Sequence, residues 1–422
     1  MKKNLSFYLT GSILTALTVM LLVGAVTVSG SLYHCFDAYF AETKIEDAEF
    51  ATLSEIPEDE MEQLKEQYDV TIEKQQYQDL SYQGTRLRLF AETGEMDLPT
   101  VTEGRNIEAE DEILLTYRYA KANGIAVGDT MELAGKTFRV CGLGMKPDYA
   151  IMLREFSDSV PDKDGFGIGI LSKEAIKSLG AGMEYYSVRY GDKEKETAFR
   201  TEIYEKYGTV EYVERKANTR ISLIYQEADD LVAEFSLYCP IILVVVIAVI
   251  AMVLARMVKR EGKTIGTLLA LGYRKEELIR HYMVYGMIPA FAGDILGILL
   301  CIPFSKAFCG FYFGDAEYID YVVKMPWKFI GIVLLIPIVV CGLVSDLVLR
   351  GVLKQEIVPL LKGMQKEKTP RLLNGSSEKL SLIYNIRSVV LNGFRSITLV
   401  VGIAIATRCI VLGGSFQDAY DN

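Results

Sequence analysis

Side chains that commonly do chemistry are scarce or scattered in this sequence. It contains two histidines, His34 and His281, and seven cysteines without CxxC or HExxH spacing. Zinc sites and activated nucleophiles need such groups close together, so the chain has little material for either. A GxxxxGKS/T loop and a strand-anchored GxGxxG loop are also absent from the sequence. Any nucleotide would therefore have to be bound by a partner.

Carboxylates are dense between residues 33 and 230, and one acidic run could be imagined as a catalytic pair. Its members are Glu108, Glu110, Asp111 and Glu112. Such a run is more typical of a helix N-terminus, where acidic side chains complement the helix dipole and stay solvated. A second group, Asp158, Asp162 and Asp164, lacks the DxDxDG ladder of a calcium loop. The sequence predicts no catalytic residue, no metal ligand and no cofactor.

The element most visible in the sequence is the membrane-spanning helix. Half of the 422 residues are hydrophobic and the mean hydropathy is +0.20, which is unusual for a soluble protein of this size. Residues 4–36 and 235–255 contain no charged side chain. Either stretch can cross the roughly 30 Å hydrocarbon core as a helix of about 20 residues.

The distribution of charge predicts how the chain crosses the membrane. Residues 33–235 carry a net charge of −19, whereas 256–281 carry +4 and 350–395 carry +6. Short basic segments remain in the cytoplasm by the positive-inside rule. We therefore expect a cytoplasmic N-terminus, an extracytoplasmic acidic segment and two cytoplasmic basic segments.

The fold class that follows is an α-helical membrane protein with four to five transmembrane helices and a mixed α/β extracytoplasmic domain between the first two. The helices are predicted at residues 7–32, 235–255, 282–304 and 329–349, with a weaker fifth at 397–413. The fifth is weaker because Arg408 would have to snorkel to the outer interface. A cleaved signal peptide is the alternative for the first run, but its apolar region spans only about 7–15 residues.

Composition divides the chain into five segments. They are an N-terminus with the first helix (1–32), the extracytoplasmic domain (33–230), a membrane domain with helices two to four (231–350), a cytoplasmic basic linker (351–395) and a fifth helix with the C-terminus (396–422).

Periodicity also predicts elements inside the extracytoplasmic domain. Helices are predicted at 57–68, 111–122, 173–179 and 194–207. Strands are predicted at 85–90, 136–140 and 185–190, with a hairpin across Ala134-Gly135. Residues 219–231 are helix-compatible and run toward the second membrane helix, which would connect the domain mechanically to the membrane.

The cytoplasmic loop 256–281 has the most specific pattern. A basic entry is followed by an apolar helical patch, a break at Gly272-Tyr273 and a charged helix that leads into the third membrane helix. A short apolar helix at the cytoplasmic surface either lies on lipid or fits a groove on a partner.

This loop resembles that of the ABC-transporter permeases of the FtsX/MacB type. The resemblance rests on REGKTIGTLLALGY at 260–273, which is similar to the family's IG-LxALG core, and on the glycines at 286, 293 and 297. The extracytoplasmic segment is similar to the family's periplasmic-type core domain through EGR at 103–105, EILL at 112–115, VGD at 127–129 and FRVCG at 138–142.

The resemblance implies a multi-pass permease of the bacterial plasma membrane that carries out no chemistry itself. A cytoplasmic ATPase dimer would grip the inner loop, and its ATP-driven closing would move the membrane helices and the outer domain. The implied ATPase contact consists of Glu261, Ile265, Gly266, Leu269, Leu271 and Gly272. Peptides, antibiotics or lipoprotein-like molecules are the implied substrates, and nucleic acid is not an implied partner.

Longer members of the family repeat the unit of helix, domain and helices. LIYNIR at 382–387 and NGFR at 392–395 resemble the lead-in to that second unit. We therefore expect the chain to hold the first half and one helix of the second. The other ATPase surface would then come from a second permease chain or from the missing second half.

The predicted third helix contains a carboxylate between two glycines. Gly293 and Gly297 form a GxxxG motif, which favours close helix packing. An intramembrane carboxylate such as Asp294 suggests a proton or cation contact. The other interpretation is that Asp294 faces the bundle interior and hydrogen-bonds a neighbouring helix.

Two other functions fit the same topology. A membrane sensor also places an extracytoplasmic ligand domain between two helices, but it needs a kinase or methyl-accepting output where this chain has two further membrane helices. A regulator of the same architecture would transmit ATPase motion to an outer cell-wall hydrolase without moving a substrate. Transport and such mechanotransmission are both compatible with the sequence.

Overall fold

The computed structural model describes residues 5–158, 160–162, 164–317 and 321–353, together with Thr407. The chain divides into two compact units. The helical unit takes its residues from 1–27, Leu231–Lys306 and 325–422, and the sheet unit from Val28–Asp230 and Ala307–Lys324. The predicted fifth helix with Arg408, the motifs at 382–395 and nearly all of the basic linker lie outside the described residues.

The described helices are, in chain order, α1 (Leu5–Glu42), α2 (Glu58–Tyr68), α3 (Tyr117–Ala122), α4 (Lys173–Ser178), α5 (Glu196–Tyr207), α6 (Thr219–Arg260), α7 (Gly262–Ala270), α8 (Lys275–Asp315) and α9 (Trp327–Leu353). Helices α1, α6, α8 and α9 are long and apolar enough to cross a membrane. They correspond to the four predicted crossings, and the predicted fold class is confirmed.

Three of these helices are about twice as long as a membrane requires. α1 has 38 residues, α6 has 42 and α8 has 41, whereas about 20 residues cross the hydrocarbon. The prediction that residues 219–231 continue into the second membrane helix is confirmed by α6. All three long helices contribute residues to both units.

The strands are β1 (Ala48–Thr52), β2 (Val70–Tyr82), β3 (Thr85–Ala91), β4 (Thr100–Gly104), β5 (Glu112–Thr116), β6 (Thr130–Leu133), β7 (Lys136–Met145), β8 (Phe166–Leu171), β9 (Met183–Tyr190) and β10 (Thr209–Glu214). They form one mixed sheet in the order β10-β1-β9-β2-β3-β8-β5-β7-β4, and β6 pairs with β7. The pairs β3–β8 and β5–β7 are parallel, and the remaining neighbours are antiparallel.

The sheet buries apolar side chains on both faces. Phe50, Val188 and Phe199 belong to a core that β1 and β9 form with α2 and α5. On β3, Leu87 and Leu89 pack into a second core with α3 and α4. Because neighbouring strand residues point to opposite faces, Phe90 packs into a third core with β5 and β8.

The predicted helix at 111–122 is wrong in its first half. Residues Glu112–Thr116 form β5, and the helix α3 begins only at Tyr117. β5 pairs with β7 on one side and β8 on the other, and all five of its residues are buried. A strand buried on both faces shows a continuous apolar run, which periodicity does not distinguish from a buried helix segment.

Strand β8 was not predicted because its glycines hide the strand pattern. A Cβ at Gly167 would lie 2.3 Å from the Tyr119 ring, and one at Gly169 would lie 2.7 Å from side-chain atoms of Ile113 and Leu89. The missing side chains leave room for α3 and for the neighbouring strands to pack directly on β8.

Candidate functional site

The predicted break in the 256–281 loop is a helix end stabilised by backbone hydrogen bonds. Helix α7 ends with Leu271 as its C-cap, and Gly272 follows with φ of +96°. The Tyr273 amide donates to the Leu268 carbonyl and the Gly272 amide donates to the Leu269 carbonyl. This pair of bonds is a Schellman motif, which favours glycine because of the left-handed backbone.

Helix α8 begins directly after this turn. Its first turn contains Glu276 and Glu277, which complement the helix dipole. The Arg274 amide donates to the Glu277 carboxylate at 3.0 Å, which is one half of a capping box. The turn between α7 and α8 is therefore set by local sequence.

One side of α7 is anchored to the helical unit. Ile265 is fully buried in a core with residues of α6, α8 and α9, and Gly266 and Gly262 are buried too. The Tyr282 hydroxyl on α8 donates to the Glu261 carboxylate at 2.6 Å, immediately before α7 begins. Helix α7 is thus held at its start by a hydrogen bond and along one side by packing.

The other end of α7 is exposed. Leu271 is 73% exposed and Tyr273 is 54% exposed, whereas Leu269 packs partly against the core. The six residues of the implied ATPase contact therefore divide by burial. Ile265 and Gly266 are buried and Leu269 is half-buried, whereas Glu261, Leu271 and Gly272 are exposed. Tyr273 was missed as a surface residue, although its position after Gly272 was a usable signal.

The GxxxG glycines lie against α1 within the helical unit. A Cβ at Gly293 would lie 2.5 Å from Thr15 Cβ and 2.7 Å from the Ser12 carbonyl oxygen. One at Gly297 would lie 2.8 Å from the Ala16 carbonyl oxygen. These distances are too short for real contacts, so the two helices approach this closely only where α8 has no side chain.

Asp294 lies between these glycines and is 3% exposed. Neither carboxylate oxygen has a hydrogen-bond partner among the described residues. Its predicted hydrogen bond to a neighbouring helix is therefore not found in the described part of the chain. An unpaired carboxyl group at such depth is energetically costly and is a functional candidate.

Three of the motifs in the sheet unit meet around Glu112. This residue begins β5 and is 1% exposed. It accepts hydrogen bonds from the guanidinium groups of Arg105, which follows β4, and Arg139 on β7. These bonds hold the pKa of the Glu112 carboxyl well below its usual range, at about 2. The interpretation of Glu112 as a solvated helix N-terminal residue is wrong, because the strand pairing of β5 turns it toward two arginines.

A second buried polar cluster lies where α1 leads into β1. Lys146 pairs with Asp148, and both side chains are 1% exposed. Asp97 accepts from the Glu46 amide at 2.9 Å, and Ser187 donates to the Glu46 carboxylate. Burial, together with the neighbouring carboxylates, raises the pKa of both Glu46 and Asp97. These residues are far apart in sequence, so no local pattern predicted the cluster.

Arg118 links α3 to the end of α8 within the sheet unit. Its guanidinium donates to the Ala316 and Phe313 carbonyls at 2.5 and 2.6 Å. The Glu317 amide donates to the Ala150 carbonyl at 2.8 Å, and Ile151 forms a β-bridge with Ala316. Helix C-terminal carbonyls are favourable partners for a cation. The last turns of α8 are therefore bonded to the sheet unit.

Two family models match the chain. The MacB-like periplasmic core domain matches residues 12–203, and the FtsX-like permease C-terminal domain matches residues 239–357. The chain is an FtsX-like permease with a MacB-like periplasmic core domain. The first match contains nine of the ten strands, and the second contains α7, Gly293, Asp294 and Gly297.

Comparison with solved structures matches part of the chain to one extracellular domain. The extracellular domain of the noncanonic ABC-type transporter YknZ from Gram-positive bacteria is 14% identical, with a TM-score of 0.25. The match covers 39% of the permease and 96% of that domain. No curated protein matches the permease.

Proposed function

We propose that this ABC-transporter permease couples a separate cytoplasmic ATPase to movement of its sheet unit. The observation that carries the proposal is the form of α7. One side of the helix is packed on α6, α8 and α9, and its end presents Leu271 and Tyr273 to solvent. An exposed apolar anchor on a rigidly held helix is typical of a surface that docks into a partner's groove.

The long helices support transmission of that movement. α1, α6 and α8 each continue for roughly 20 residues beyond what the hydrocarbon needs, or about 30 Å of helix. α6 begins in the sheet unit at Thr219 and ends at Arg260, next to α7. A displacement at α7 would be carried along α6, which stays helical from Thr219 to Arg260 and contains Pro240 as a point where it can bend.

The charge distribution supports the orientation of the proposal. The α7 loop is basic and the sheet-unit segment is acidic, so the positive-inside rule assigns α7 and the N-terminus to the cytoplasm. The permease would then lie in a bacterial plasma membrane with its sheet unit outside. Peptides, antibiotics or lipid-linked molecules would be exported or released at the outer leaflet.

An ATPase dimer needs two docking surfaces, and the described residues provide one of them, at α7. A second permease chain or a second half would supply the other. In place of the six residues predicted from the sequence, we propose a contact centred on the exposed Leu271, with Tyr273 beside it. Glu261, Ile265, Gly266, Leu269 and Gly272 would hold α7 in its shape rather than bind the ATPase directly.

The test is co-purification of a P-loop ATPase with the full chain from its native cells. Leu271→Asp introduces a charge at the exposed end of α7 and leaves the buried core unchanged. Leu53→Asp is the matched control, because Leu53 is 80% exposed on the sheet unit. We expect Leu271→Asp to lose the ATPase and Leu53→Asp to retain it. Recovery of the ATPase with both variants, or with neither, contradicts the proposed contact.

Mechanotransmission is the second candidate function. Leu53, Val210 and Tyr204 are 80%, 64% and 66% exposed near the edge strand β10, and such an apolar surface favours a protein partner. A cell-wall hydrolase bound there would receive the movement without transport of a substrate. Co-purification of a hydrolase with the wild type and its loss with Leu53→Asp distinguish this function from transport.

A further inference from the structure

A cavity of about 230 Å³ lies in the sheet unit at the end of α1. Asp37, Phe40 and Ala41 of α1 line one side, with Ile45 just beyond the helix. The rest is lined by Arg189 of β9, by Arg215, which directly follows β10, and by Tyr225 of α6. The cavity therefore combines an apolar wall with two guanidinium groups and a carboxylate.

Helices α1 and α6 are joined beside the cavity by a reciprocal pair of hydrogen bonds. The Tyr225 hydroxyl on α6 donates to Asp37 on α1 at 2.8 Å. The Tyr33 hydroxyl on α1 donates to Asp229 on α6 at 2.9 Å. The rings of Tyr33 and Tyr225 also contact each other, with centroids 5.0 Å apart. The cavity wall is therefore preorganised by the packing of the two helices.

The two arginines differ in what they bind. Arg215 donates to the Ile45 and Glu46 carbonyls and to the Asp47 carboxylate, so its charge and its donors are used within the protein. Arg189 is half-buried and has no hydrogen-bond or ion-pair partner among the described residues. A guanidinium carries five donors and cannot be deprotonated, so leaving it unpaired in a cavity is costly.

The direction of Arg189 follows from strand alternation. Val188 and Tyr190 are buried in the core that β9 forms with α2 and α5. Neighbouring residues in a strand point to opposite faces, so Arg189 points away from that core and toward the end of α1. An arginine at a sheet edge would be expected to face solvent. Arg189 is not at an edge, because β9 pairs with β1 on one side and with β2 on the other.

The sequence of α1 sets the level of the cavity relative to the lipid. Asp37 is the first charged residue after the charge-free stretch 4–36. With a rise of about 1.5 Å per residue, Asp37, Phe40 and Ala41 lie within roughly two turns of the end of that stretch. Phosphate groups of lipids occupy this level of a bilayer, just outside the hydrocarbon.

We propose that this cavity binds the phosphate diester of an anionic phospholipid headgroup, with Arg189 as its ion-pair partner. Arginine suits phosphate because its donors match two phosphate oxygens. Phe40 and Ala41 offer contacts to the glycerol and the first acyl carbons. Asp37 on the wall repels anions, so a singly charged diester fits better than a more highly charged free phosphate. The site requires no ATPase and is independent of the proposed function.

Native mass spectrometry of the full chain in detergent micelles tests the site. Wild type, Arg189→Gln and Arg86→Gln are each incubated with phosphatidylglycerol, phosphatidylcholine or inorganic phosphate. Arg86 is the matched control because it is an exposed arginine on β3 that does not line the cavity. We expect Arg189→Gln to weaken phosphatidylglycerol binding about tenfold, the loss of one charge-assisted contact, and Arg86→Gln to change it by less than about twofold.

Asp37→Asn provides a change in the opposite direction. The amide oxygen still accepts from Tyr225, but the repulsion of anions is removed, so phosphatidylglycerol binding should rise several-fold. Arg189→Lys serves if Arg189→Gln does not fold, as judged by its circular dichroism, and should retain part of the binding. Equal effects of the Arg189 and Arg86 variants overturn the proposal, as does unchanged binding in Asp37→Asn. The assignment to a lipid is overturned if Arg189→Gln loses binding of inorganic phosphate but keeps binding of phosphatidylglycerol. It is also overturned if the wild type binds phosphatidylcholine and phosphatidylglycerol equally.

Discussion

Replacing Glu112 by glutamine removes the charge at the centre of the arginine cluster in the sheet unit. The carboxylate is 1% exposed and contacts both Arg105 and Arg139. The substitution keeps the shape of the side chain and leaves one amide oxygen as acceptor for two guanidinium groups. We therefore expect Glu112→Gln to destabilise the sheet unit at neutral pH.

The magnitude follows from the depressed pKa of Glu112. A carboxyl at about 2 instead of 4.5 corresponds to an upper bound of about 3 kcal/mol, at about 1.4 kcal/mol per tenfold change in proton affinity. The guanidinium groups are 40% and 55% exposed, and solvent screens their attraction. We expect a loss of about 1–2 kcal/mol at pH 7.

The sign of the pH dependence is set by the direction of the pKa change. Because the folded pKa is lowered, the stabilisation is present above the ordinary carboxyl pKa of about 4 and is lost as pH falls toward 2. The difference between wild type and Glu112→Gln should therefore shrink between pH 7 and pH 3.

Urea titration of the full chain in detergent measures this difference. Near-ultraviolet circular dichroism of the tyrosines reports mainly on residues 33–230, which contain most of the 25 tyrosines. Glu108→Gln is the control, because Glu108 is 72% exposed and reaches Arg105 only at 3.5 Å. Equal destabilisation by the two variants, or a Glu112→Gln penalty that is the same at pH 3 and pH 7, would refute the reasoning.

Three further predictions concern buried positions. Gly293→Ala should destabilise the full chain by about 1–3 kcal/mol through overpacking against α1. Gly331→Ala is the control and should leave the Tm unchanged, because a Cβ there would meet no atom within 4 Å. Equal Tm values for the two variants would contradict the close approach of α8 to α1. Asp294→Leu should raise the Tm by a few degrees because it removes an unpaired buried carboxyl. A simultaneous loss of the proposed coupling to the ATPase would assign that carboxyl to function rather than packing. A lowered Tm would instead indicate that Asp294 has a stabilising partner. Burial raises the pKa of Glu46 and Asp97 in the folded protein, so the free energy of unfolding of the wild type should fall as pH rises above about 4 through the folded pKa values. Urea titration of Glu46→Gln or Asp97→Asn should show a smaller fall over the same pH range. If the pH dependence of the unfolding free energy is the same in the variants and the wild type, neither group titrates with folding.

Local patterns predicted the elements whose stability depends on neighbours in sequence. The helices at 173–179 and 194–207 and the strand at 185–190 were found within two residues of their observed bounds. The turn across Ala134-Gly135 is also present, with positive φ at both residues. These elements carry an amphipathic repeat or a turn residue that acts over a few positions.

The candidate site was predictable to the same extent. The apolar patch, the glycine break and the charged start of the third membrane helix are local features, and α7, Gly272 and α8 follow them. Which side of α7 is buried was not predictable, because Ile265 is covered by residues of α6, α8 and α9 that lie up to about 90 positions away. The unpaired Arg189 was missed for the same reason.

The sequence by itself determined that the chain crosses a membrane, where its break between α7 and α8 lies and which segments carry excess charge. These properties follow from hydropathy, turn residues and charge, which need no distant partner. The tertiary structure decided that Glu112 meets two arginines, that Gly293 lies on α1 and that Arg118 bonds to the end of α8. Each of these contacts joins residues on different elements, and its energy depends on burial and on the charge of a neighbour that only the folded chain brings within reach.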